Sequence, residues 1–435
     1  MPNPFRHYEG VPVVDLPADP PSPPIAAWDV LRGAGGDPTA TNGADFLSQL
    51  FFYSAAISAT KLAPATGSTY SLRVNPSSGN LHPTEFHFAT RGVNGWADGL
   101  YHYRPSQHMA EQRATGDLSF DGSLVLILTS IAWREAWKYR DRAYRYCLLD
   151  AGHAWQAVAL AARAMGCRCT AEGGFDDAAL ATRLGLAADE WPMLILTISG
   201  PGLPLGTSDP APSTPPAGTP NSLSAHVLMP DLIPAIHAAT IENQEPWHRP
   251  DAPFTGASLG GPGFGDIVRQ RRSALDFIGG AAEITMAQLL ALLSVAREPL
   301  LTLYIYVHRV TGLEPGLYRF TDSLERVKSG DQRVVAAGLS LGQNLAGNAC
   351  IALSIVADLE GAGNRYGNRG YRYAHIEAGA AGHRLYIAAE ALGLRATGIG
   401  AFFDDRVSEY LDSQLGQVIY HFAIGHPVVD PRLEP

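Results

Sequence analysis

The chain has 435 residues, of which 46% are hydrophobic and 17% are charged, and its net charge is −10 at pH 7. This length exceeds one core of usual size, so we expect two domains. The acidic balance argues against nucleic acid or an anionic membrane surface as the main partner. No stretch reaches the roughly 18 apolar residues of a membrane helix, the N-terminus has no signal-peptide pattern, and the four cysteines have no disulfide or zinc spacing. Together these features predict a cytoplasmic protein.

The first third of the chain leads to a polar loop. Residues 1–24 contain eight prolines, which predicts an extended arm over the surface and not a packed element. Helical patterns follow at residues 25–31 and 46–57, and the loop covers residues 73–85. Its Asn-Pro, Ser-Gly and His-Pro pairs exclude a helix. Its hydroxyls and amide suit either a surface turn or the edge of a flat heteroaromatic ligand.

Composition divides the rest of the chain into two units joined by a linker. Strand and helix patterns alternate from the loop onwards, and the continuous apolar run of residues 124–129 predicts a buried strand. Pro, Gly and Ser then dominate residues 203–262, which contain one predicted helix. We therefore expect a first domain over residues 25–202 and a second over residues 263–435.

Residues after the linker repeat residues before it. At a shift of 227 positions Tyr139 aligns with Tyr366 and Asp150 with Glu377. The match holds without a gap for some forty residues and includes bulky, specific side chains. The sequence therefore predicts a fused tandem repeat that folds as a pseudo-two-fold dimer within one chain.

The motifs resemble the nitroreductase superfamily, and within it the SagB/ThcOx-type oxidoreductases. The segments that carry the resemblance are residues 76–83, 99–103, 137–139, 144–153 and 173–176. The best understood SagB/ThcOx members are azoline dehydrogenases of thiazole- and oxazole-forming peptide pathways. The resemblance implies an α+β fold of two tandem nitroreductase-like domains, each a mostly antiparallel sheet flanked by helices, forming an intrachain pseudodimer with FMN at the interface.

The resemblance also implies a single composite FMN site. In the family one partner supplies an Arg-x-Ser phosphate element and a Gly-Phe turn near the flavin ring, and the other supplies a Pro-Ser-Ser-x-Asn loop. Here only the second half keeps the phosphate element and only the first half keeps the loop, which implies one FMN per chain. The residues expected to bind FMN are Arg271, Ser273 and, less strongly, Arg272 for the phosphate; Ile399 and Gly400 for the ring; Pro76, Ser77, Ser78 and Asn80 for the ring and ribityl chain; and Gln343 for the pyrimidine edge. An exposed helix glutamine is the alternative for Gln343.

Lys138-Tyr139 match the pair that removes a proton in the azoline dehydrogenases. A lysine with a pKa lowered by desolvation, or a phenol with a pKa lowered by the neighbouring ammonium, can act as a base near neutral pH. A surface lysine beside a packing tyrosine is the alternative. Arg365 takes the place of Lys138 in the second half, and arginine cannot act as a base.

These features predict an FMN-dependent oxidoreductase that exchanges hydride with a small-molecule or peptide-derived substrate. Azoline-type dehydrogenation is its most specific form. The alternatives are an NAD(P)H-dependent nitro, quinone or flavin reductase, and a non-catalytic scaffold in a peptide-modifying complex, which would lack flavin colour. We expect no metal site, because His82, His87, His102 and His153 lack metal-ligand spacing. The assembly is expected to be a monomeric pseudodimer or a higher homo-oligomer.

Overall fold

The computed structural model describes residues 1–63, 67–207, 211–250, 260–412 and 416–433. Within these ranges the strands are β1 (Tyr8–Glu9), β2 (Val13–Asp15), β3 (Ile57–Ala63), β4 (Ser68–Arg73), β5 (Thr84–Thr90), β6 (Gly99–Arg104), β7 (Met109–Thr115), β8 (Leu124–Ser130), β9 (Arg168–Glu172), β10 (Trp191–Ser199), β11 (Thr219–Pro220), β12 (His248–Arg249), β13 (Ile284–Thr285), β14 (Leu301–Val307), β15 (Val310–Thr311), β16 (Gly316–Phe320), β17 (Leu324–Ser329), β18 (Ile351–Ala357), β19 (Arg395–Ile399) and β20 (Gln417–Gly425).

The helices within the same ranges are α1 (Ala27–Leu31), α2 (Gly43–Phe52), α3 (Ala132–Tyr139), α4 (Ala143–Ala164), α5 (Asp177–Leu184), α6 (Leu232–Ala239), α7 (Phe264–Gln270), α8 (Met286–Val295), α9 (Arg333–Leu339), α10 (Asn344–Asn348), α11 (Leu359–Tyr366), α12 (Gly370–Ala391) and α13 (Asp404–Leu411). No helix among the described residues is both long enough and apolar enough to cross a membrane.

Each half of the chain builds one large antiparallel sheet. The first has eight strands in the order β12-β9-β10-β8-β5-β6-β7-β2, and the second has six in the order β17-β16-β14-β18-β20-β19. The apolar strand β8 lies inside the first sheet and is buried along its whole length, as the sequence predicts. The α+β fold of two tandem domains is therefore confirmed.

Helices α4 and α12 join the two halves. Each has 22 residues, α4 packs against the first sheet, α12 packs against the second, and the two helices pack against each other. They cross at Gly152 and Gly379, which are 227 positions apart. A Cβ atom on Gly152 would lie 2.0 Å from the carbonyl oxygen of Ile376, and one on Gly379 would lie 2.0 Å from that of Leu149. Only glycine permits this backbone contact.

Reciprocal ion pairs flank the crossing. Two arginines at or just before the start of each long helix bind an aspartate of the other half. The two sets are Arg142 and Arg145 with Asp404, and Arg369 and Arg372 with Asp177. Both sets are related by the shift of 227 positions, so the halves meet through a pseudo-two-fold interface.

The N-terminal arm is packed more closely than its proline content predicts. Strand β2 forms an edge of the first sheet, and Arg6 and Tyr8 are buried. The Arg6 guanidinium donates to the Asn221 carbonyl at 2.8 Å, and the Tyr8 amide donates to Glu111 at 3.1 Å. These polar contacts fix the arm to the first sheet and to the linker.

The helix predicted over residues 46–57 is wrong at its C-terminal end. Helix α2 ends at Phe52, and residues 57–63 (β3) pair with residues 68–73 (β4) as an antiparallel hairpin that the sequence does not predict. The Ser54 hydroxyl donates to the Leu50 carbonyl at 2.7 Å, a local bond that competes with the helix and helps to end it. The hairpin carries the chain directly into the polar loop.

We expect Gly379→Ala to destabilise the protein, because the added methyl group would overlap the Leu149 carbonyl and force α4 and α12 apart. The expected loss is about 1–3 kcal/mol of unfolding free energy, measured by urea denaturation. Gly338→Ala in α9 is the control, because a Cβ there meets nothing within 4 Å. That variant should gain up to about 1 kcal/mol of helix propensity. Similar effects of the two substitutions would contradict the close crossing.

Candidate active site

A cavity of about 670 Å³ lies between the two halves. The polar loop and β4 of the first half form one side, and the end of α7 and strand β19 of the second half form another. All the residues expected to bind FMN line this one cavity: Pro76, Ser77, Ser78, Asn80, Arg271, Arg272, Ser273, Gln343, Ile399 and Gly400. Tyr139 lines it too. We call it the open site.

Asp150 of α4 holds the loop in place. Its buried carboxyl accepts hydrogen bonds from the Ser77 hydroxyl at 2.6 Å, the Ser78 amide at 3.1 Å and the Ser78 hydroxyl at 3.0 Å. Burial raises the pKa of Asp150 to about 7, against the opposing effect of these donors. Both serine hydroxyls are therefore committed to Asp150, and they shape the loop more than they offer donors to a ligand.

Asn80 ties the other end of the loop to the hairpin. Its φ of 59° lies in the left-handed region, which asparagine tolerates better than most residues. Its amide nitrogen donates to the Ser71 carbonyl at 2.9 Å, and its amide oxygen lies 3.0 Å from Nε2 of His82. The loop is thus rigid on both sides, as a ligand-binding loop needs to be.

Arg271 presents an unsatisfied donor at the cavity wall. Its side chain is 3% exposed, and it donates to the carbonyls of Val74 at 3.1 Å and Arg73 at 3.2 Å. The third guanidinium nitrogen, Nη1, is buried and has no hydrogen-bond partner among the described residues. Because an unpaired buried donor is costly, Nη1 is suited to an anionic ligand such as a phosphate.

The neighbours of Arg271 differ in how available they are. The Arg272 guanidinium donates to Ser58 and to backbone carbonyls. It is therefore less available to a phosphate than Arg271, as the sequence predicts. The Ser273 hydroxyl is exposed and lies 2.8 Å from the Tyr386 hydroxyl. The Arg432 guanidinium donates to Asp430 of its own segment and not to the open site.

Gly398 of β19 and Gly400 of the turn after it pack closely against the side chains of Tyr420 and Tyr146. A Cβ on Gly398 would lie 2.0 Å from the Tyr420 hydroxyl, and one on Gly400 would lie 2.2 Å from Cε1 of Tyr146. The backbone of these two glycines therefore borders the cavity without side chains that would fill it.

Gln343 precedes α10, and its amide nitrogen donates to the carbonyls of Ser340 and Ala401 at 2.9 and 3.2 Å. These bonds orient its amide at the cavity wall.

Tyr139 and Lys138 have different positions at the open site. The Tyr139 hydroxyl would lie 2.5 Å from a Cβ on Gly79, and the Lys138 Nζ would lie 3.0 Å from it. Lys138 is exposed at the rim of the cavity, whereas Tyr139 is half-buried in its wall. Burial, and then the nearby Glu135, raises the pKa of Tyr139. The expected lowering of that pKa is wrong, and burial favours the protonated phenol, which can donate a hydrogen bond.

Sequence reasoning missed several residues of the site. Asp150 was noted only as part of the repeat, and His153 was considered only as a metal ligand. His153 lines the cavity, lies 3.1 Å from the Tyr420 hydroxyl, and has its pKa lowered to about 3 by burial. In the described part of the chain, no three metal-ligating side chains come together. Asp150 had a sequence signal, because its position in the repeat also carries a carboxyl, Glu377.

The corresponding place in the other half is filled by the linker. The shift of 227 positions pairs Tyr146 with Tyr373, Asp150 with Glu377 and Gly400 with Gly173. Trp247 stacks on Tyr373 with ring centroids 4.9 Å apart and planes 11° apart, and its indole nitrogen donates to Glu377 at 3.1 Å. Trp247 is 1% exposed. We call this place the closed site.

The phosphate element is also missing from the first half. Arg32 follows α1 as Arg271 follows α7. Gly33 and Ala34 come next, where the second half has Arg272 and Ser273. Arg32 does not line the open site.

The Nitroreductase family model matches residues 54–200 and 317–426, which together make up more than half of the chain. The chain belongs to the nitroreductase family. A crystal structure at 1.80 Å of a protein provisionally named a nitroreductase, from Anabaena variabilis, matches 98% of this chain and 94% of its own length. The two share 26% sequence identity, and the TM-score is 0.76. Both domains and the linker therefore have a counterpart in one known structure.

A curated protein of Methanocaldococcus jannaschii, also provisionally named a nitroreductase, is 34% identical over 114 residues. The match covers 26% of this chain and spans 58% of that relative's length. The Escherichia coli microcin synthetase McbBCD complex with truncated pro-MccB17 matches 35% of this chain at 24% identity. The TM-score is only 0.30, so this match says nothing about the activity of the chain.

We expect Trp247→Ala to destabilise the protein by about 3–5 kcal/mol, because it empties the closed site. The measurement is urea denaturation. Trp137→Ala is the control, since Trp137 is 41% exposed on α3 and its loss should change stability by about 0.5 kcal/mol or less. A small effect of Trp247→Ala, equal to that of the control, would contradict the filled site.

Proposed function

We propose that this nitroreductase-family oxidoreductase depends on FMN and exchanges hydride with a small-molecule or peptide-derived substrate at the open site. The observation that carries the proposal is the unpartnered Nη1 of Arg271 in the same cavity as the loop at residues 73–85. A buried cationic donor at one end of the cavity matches a phosphate. The side-chain-free backbone of Gly398 and Gly400 matches a flat ring.

FMN fits the residues of the open site. Arg271 and Ser273 would hold the phosphate, and the backbone from Gly398 to Gly400 would support the ring. Gln343 would bind the pyrimidine edge, and the loop would cover the cofactor from the first half. When bound, FMN supplies the reversible hydride acceptor of the reaction. One cofactor per chain is proposed, because Trp247 fills the closed site.

The Lys138–Tyr139 pair would handle the proton. In azoline-type dehydrogenation, the form that we propose as most specific, the substrate loses a hydride and a proton and gains a double bond. The proton would go to Nζ of Lys138, at the rim beside Gly79. The Tyr139 hydroxyl, with its raised pKa, would stay protonated and donate a hydrogen bond that positions the substrate.

NAD(P)H-dependent reduction of nitro, quinone or flavin substrates is a second candidate. It is favoured by the names of two of the proteins that match this chain, both provisionally called nitroreductases. Steady-state kinetics with NADPH separate the two. Ping-pong turnover with rapid reduction of the bound flavin by NADPH supports the reductase. Flavin that stays oxidised with NADPH, but is reduced by an azoline-containing peptide, supports the dehydrogenase.

We expect Lys138→Ala to lower kcat for azoline oxidation by about 10²–10⁴-fold while bound flavin stays the same, because the base is lost and the cofactor contacts are kept. The measurement is kcat in parallel with the flavin content of each variant. Arg365→Ala is the matched control, because Arg365 occupies the equivalent position beside the closed site. It should keep wild-type kcat. Equal activity of the two variants would rule out Lys138 as the base.

A further inference from the structure

Strand β17 is an uncovered edge of the second sheet. Among the described residues it pairs only with β16, and four of its six residues are exposed. An edge strand presents a row of backbone N–H and C=O groups that can pair with another strand, and proteins usually cover or blunt such edges. Strand β17 therefore has a free side on which a further strand can bind.

Strand β17 corresponds to strand β7 of the first half. Strand β7 pairs antiparallel with β6, and β17 pairs antiparallel with β16. The paired strands begin with matching residues of the repeat, since residues 99–101 and 316–318 are both Gly-Leu-Tyr. In both pairs the register shifts once, between the Leu and the Tyr. The two strands are therefore equivalent edges of the two sheets.

Two extended segments of the chain itself cover the edge of β7. Strand β2 of the N-terminal arm pairs with it antiparallel. Linker residues 211–217 continue along it, where the Thr214 amide donates to the Thr115 carbonyl at 2.9 Å and the Ala217 amide donates to the Arg113 carbonyl at 2.6 Å. Among the described residues, no such segment lies on β17. The edge that is covered by extended chain in one half is thus open in the other.

A cavity of about 480 Å³ lies at the C-terminal end of β17, and we call it the edge cavity. Three arginines from different elements line it: Arg309 after β14, Arg326 of β17 and Arg333 of α9. Among the described residues, the Arg326 side chain has no ion pair or hydrogen bond, and the Arg309 guanidinium donates only to backbone carbonyls. Asp331 binds Arg333 at 2.6 Å, and Glu314 is the other acidic residue of the lining. The edge cavity therefore has an excess of positive charge.

His308 adds an unused hydrogen-bond acceptor to the edge cavity. It lines the cavity and is 5% exposed. Its Nδ1 lies 3.0 Å from the Ala349 carbonyl oxygen, which can only accept, so Nδ1 carries the proton. Burial lowers the pKa of His308 to about 4, so the ring is neutral and Nε2 is an acceptor. Nε2 is buried and has no partner among the described residues, so a ligand with an N–H or O–H group would satisfy it.

An extended peptide with an acidic side chain matches all of these features. Its backbone can pair with β17, its N–H groups suit the acceptor on His308, and its carboxylate suits the charges of Arg309 and Arg326. A small anion would use the arginines and leave the strand edge uncovered. A second copy of this chain is disfavoured, because symmetric pairing of two β17 strands would bring the same arginines together.

We propose that β17 and the edge cavity bind an extended acidic peptide segment of a partner by strand addition. The segment takes the place on β17 that β2 and the linker take on β7. None of the residues that line the edge cavity lines the open site, so this is a separate site. The inference goes beyond the proposed function and does not depend on FMN.

Fluorescence anisotropy of a labelled peptide, Thr-Val-Thr-Val-Thr-Asp-Glu, tests binding to the full chain. The same peptide ending in Asn-Gln should bind about tenfold or more weakly, because it lacks the carboxylates. Arg326→Glu should weaken binding of the acidic peptide by a similar factor. Arg168→Glu is the matched control, because Arg168 is exposed on β9 of the first sheet, and it should keep wild-type affinity. No binding, equal binding of the two peptides, or equal affinities of the two variants would overturn the proposal.

Amide hydrogen exchange of the full chain tests where the peptide binds. The saturating acidic peptide should slow exchange in residues 324–331 and leave residues 109–115 unchanged, because the edge of β7 is already covered. Protection elsewhere, with none on β17, would overturn the proposal. Protection of β17 without peptide that grows with protein concentration would show that a second copy of this chain covers the edge, and it would overturn the proposal as well.

Discussion

The backbone contact between α4 and α12 determines where everything else in the site lies. Gly152 and Gly379 let the two helices touch without side chains between them, and Asp150 lies two residues before the crossing. From there its carboxyl holds the loop of the first half over the cavity, opposite Arg271 of the second half. A wider crossing would separate the loop from Arg271, and no single cavity would contain both.

A crossing with pseudo-two-fold symmetry produces two equivalent places, and this chain uses them differently. At the open site, Ser77 and Ser78 satisfy the Asp150 carboxyl and leave a cavity. At the closed site, Trp247 donates a hydrogen bond to one oxygen of the Glu377 carboxyl and fills the space by stacking on Tyr373. Burying an indole stabilises the fold, whereas an empty apolar cavity would cost stability. Trp247 of the linker thus makes the closed site part of the hydrophobic core.

Local and repeated patterns made much of this predictable. The repeat, the polar loop and the two-domain fold follow from short motifs and from bulky residues in register, and the residues expected at the cofactor do line one cavity. The pairing of β3 with β4 was missed because the first residue of β3, Ile57, continues the helical pattern that starts at residue 46. Trp247 was missed because it lies in a segment of linker composition. The pKa of Tyr139 is raised by burial and by the nearby Glu135. The sequence did not show this, because the burial of Tyr139 exists only in the folded chain.

The number of FMN molecules that each chain binds tests the single composite site most directly. Titration of the flavin-free chain with FMN, followed by fluorescence or calorimetry, should give one site per chain. That site should be lost in Arg271→Ala and retained in Arg32→Ala, because Arg32 takes the corresponding place in the half whose site is closed. Two sites per chain would contradict the closed site, and no binding at all would contradict the flavin enzyme and favour a scaffold.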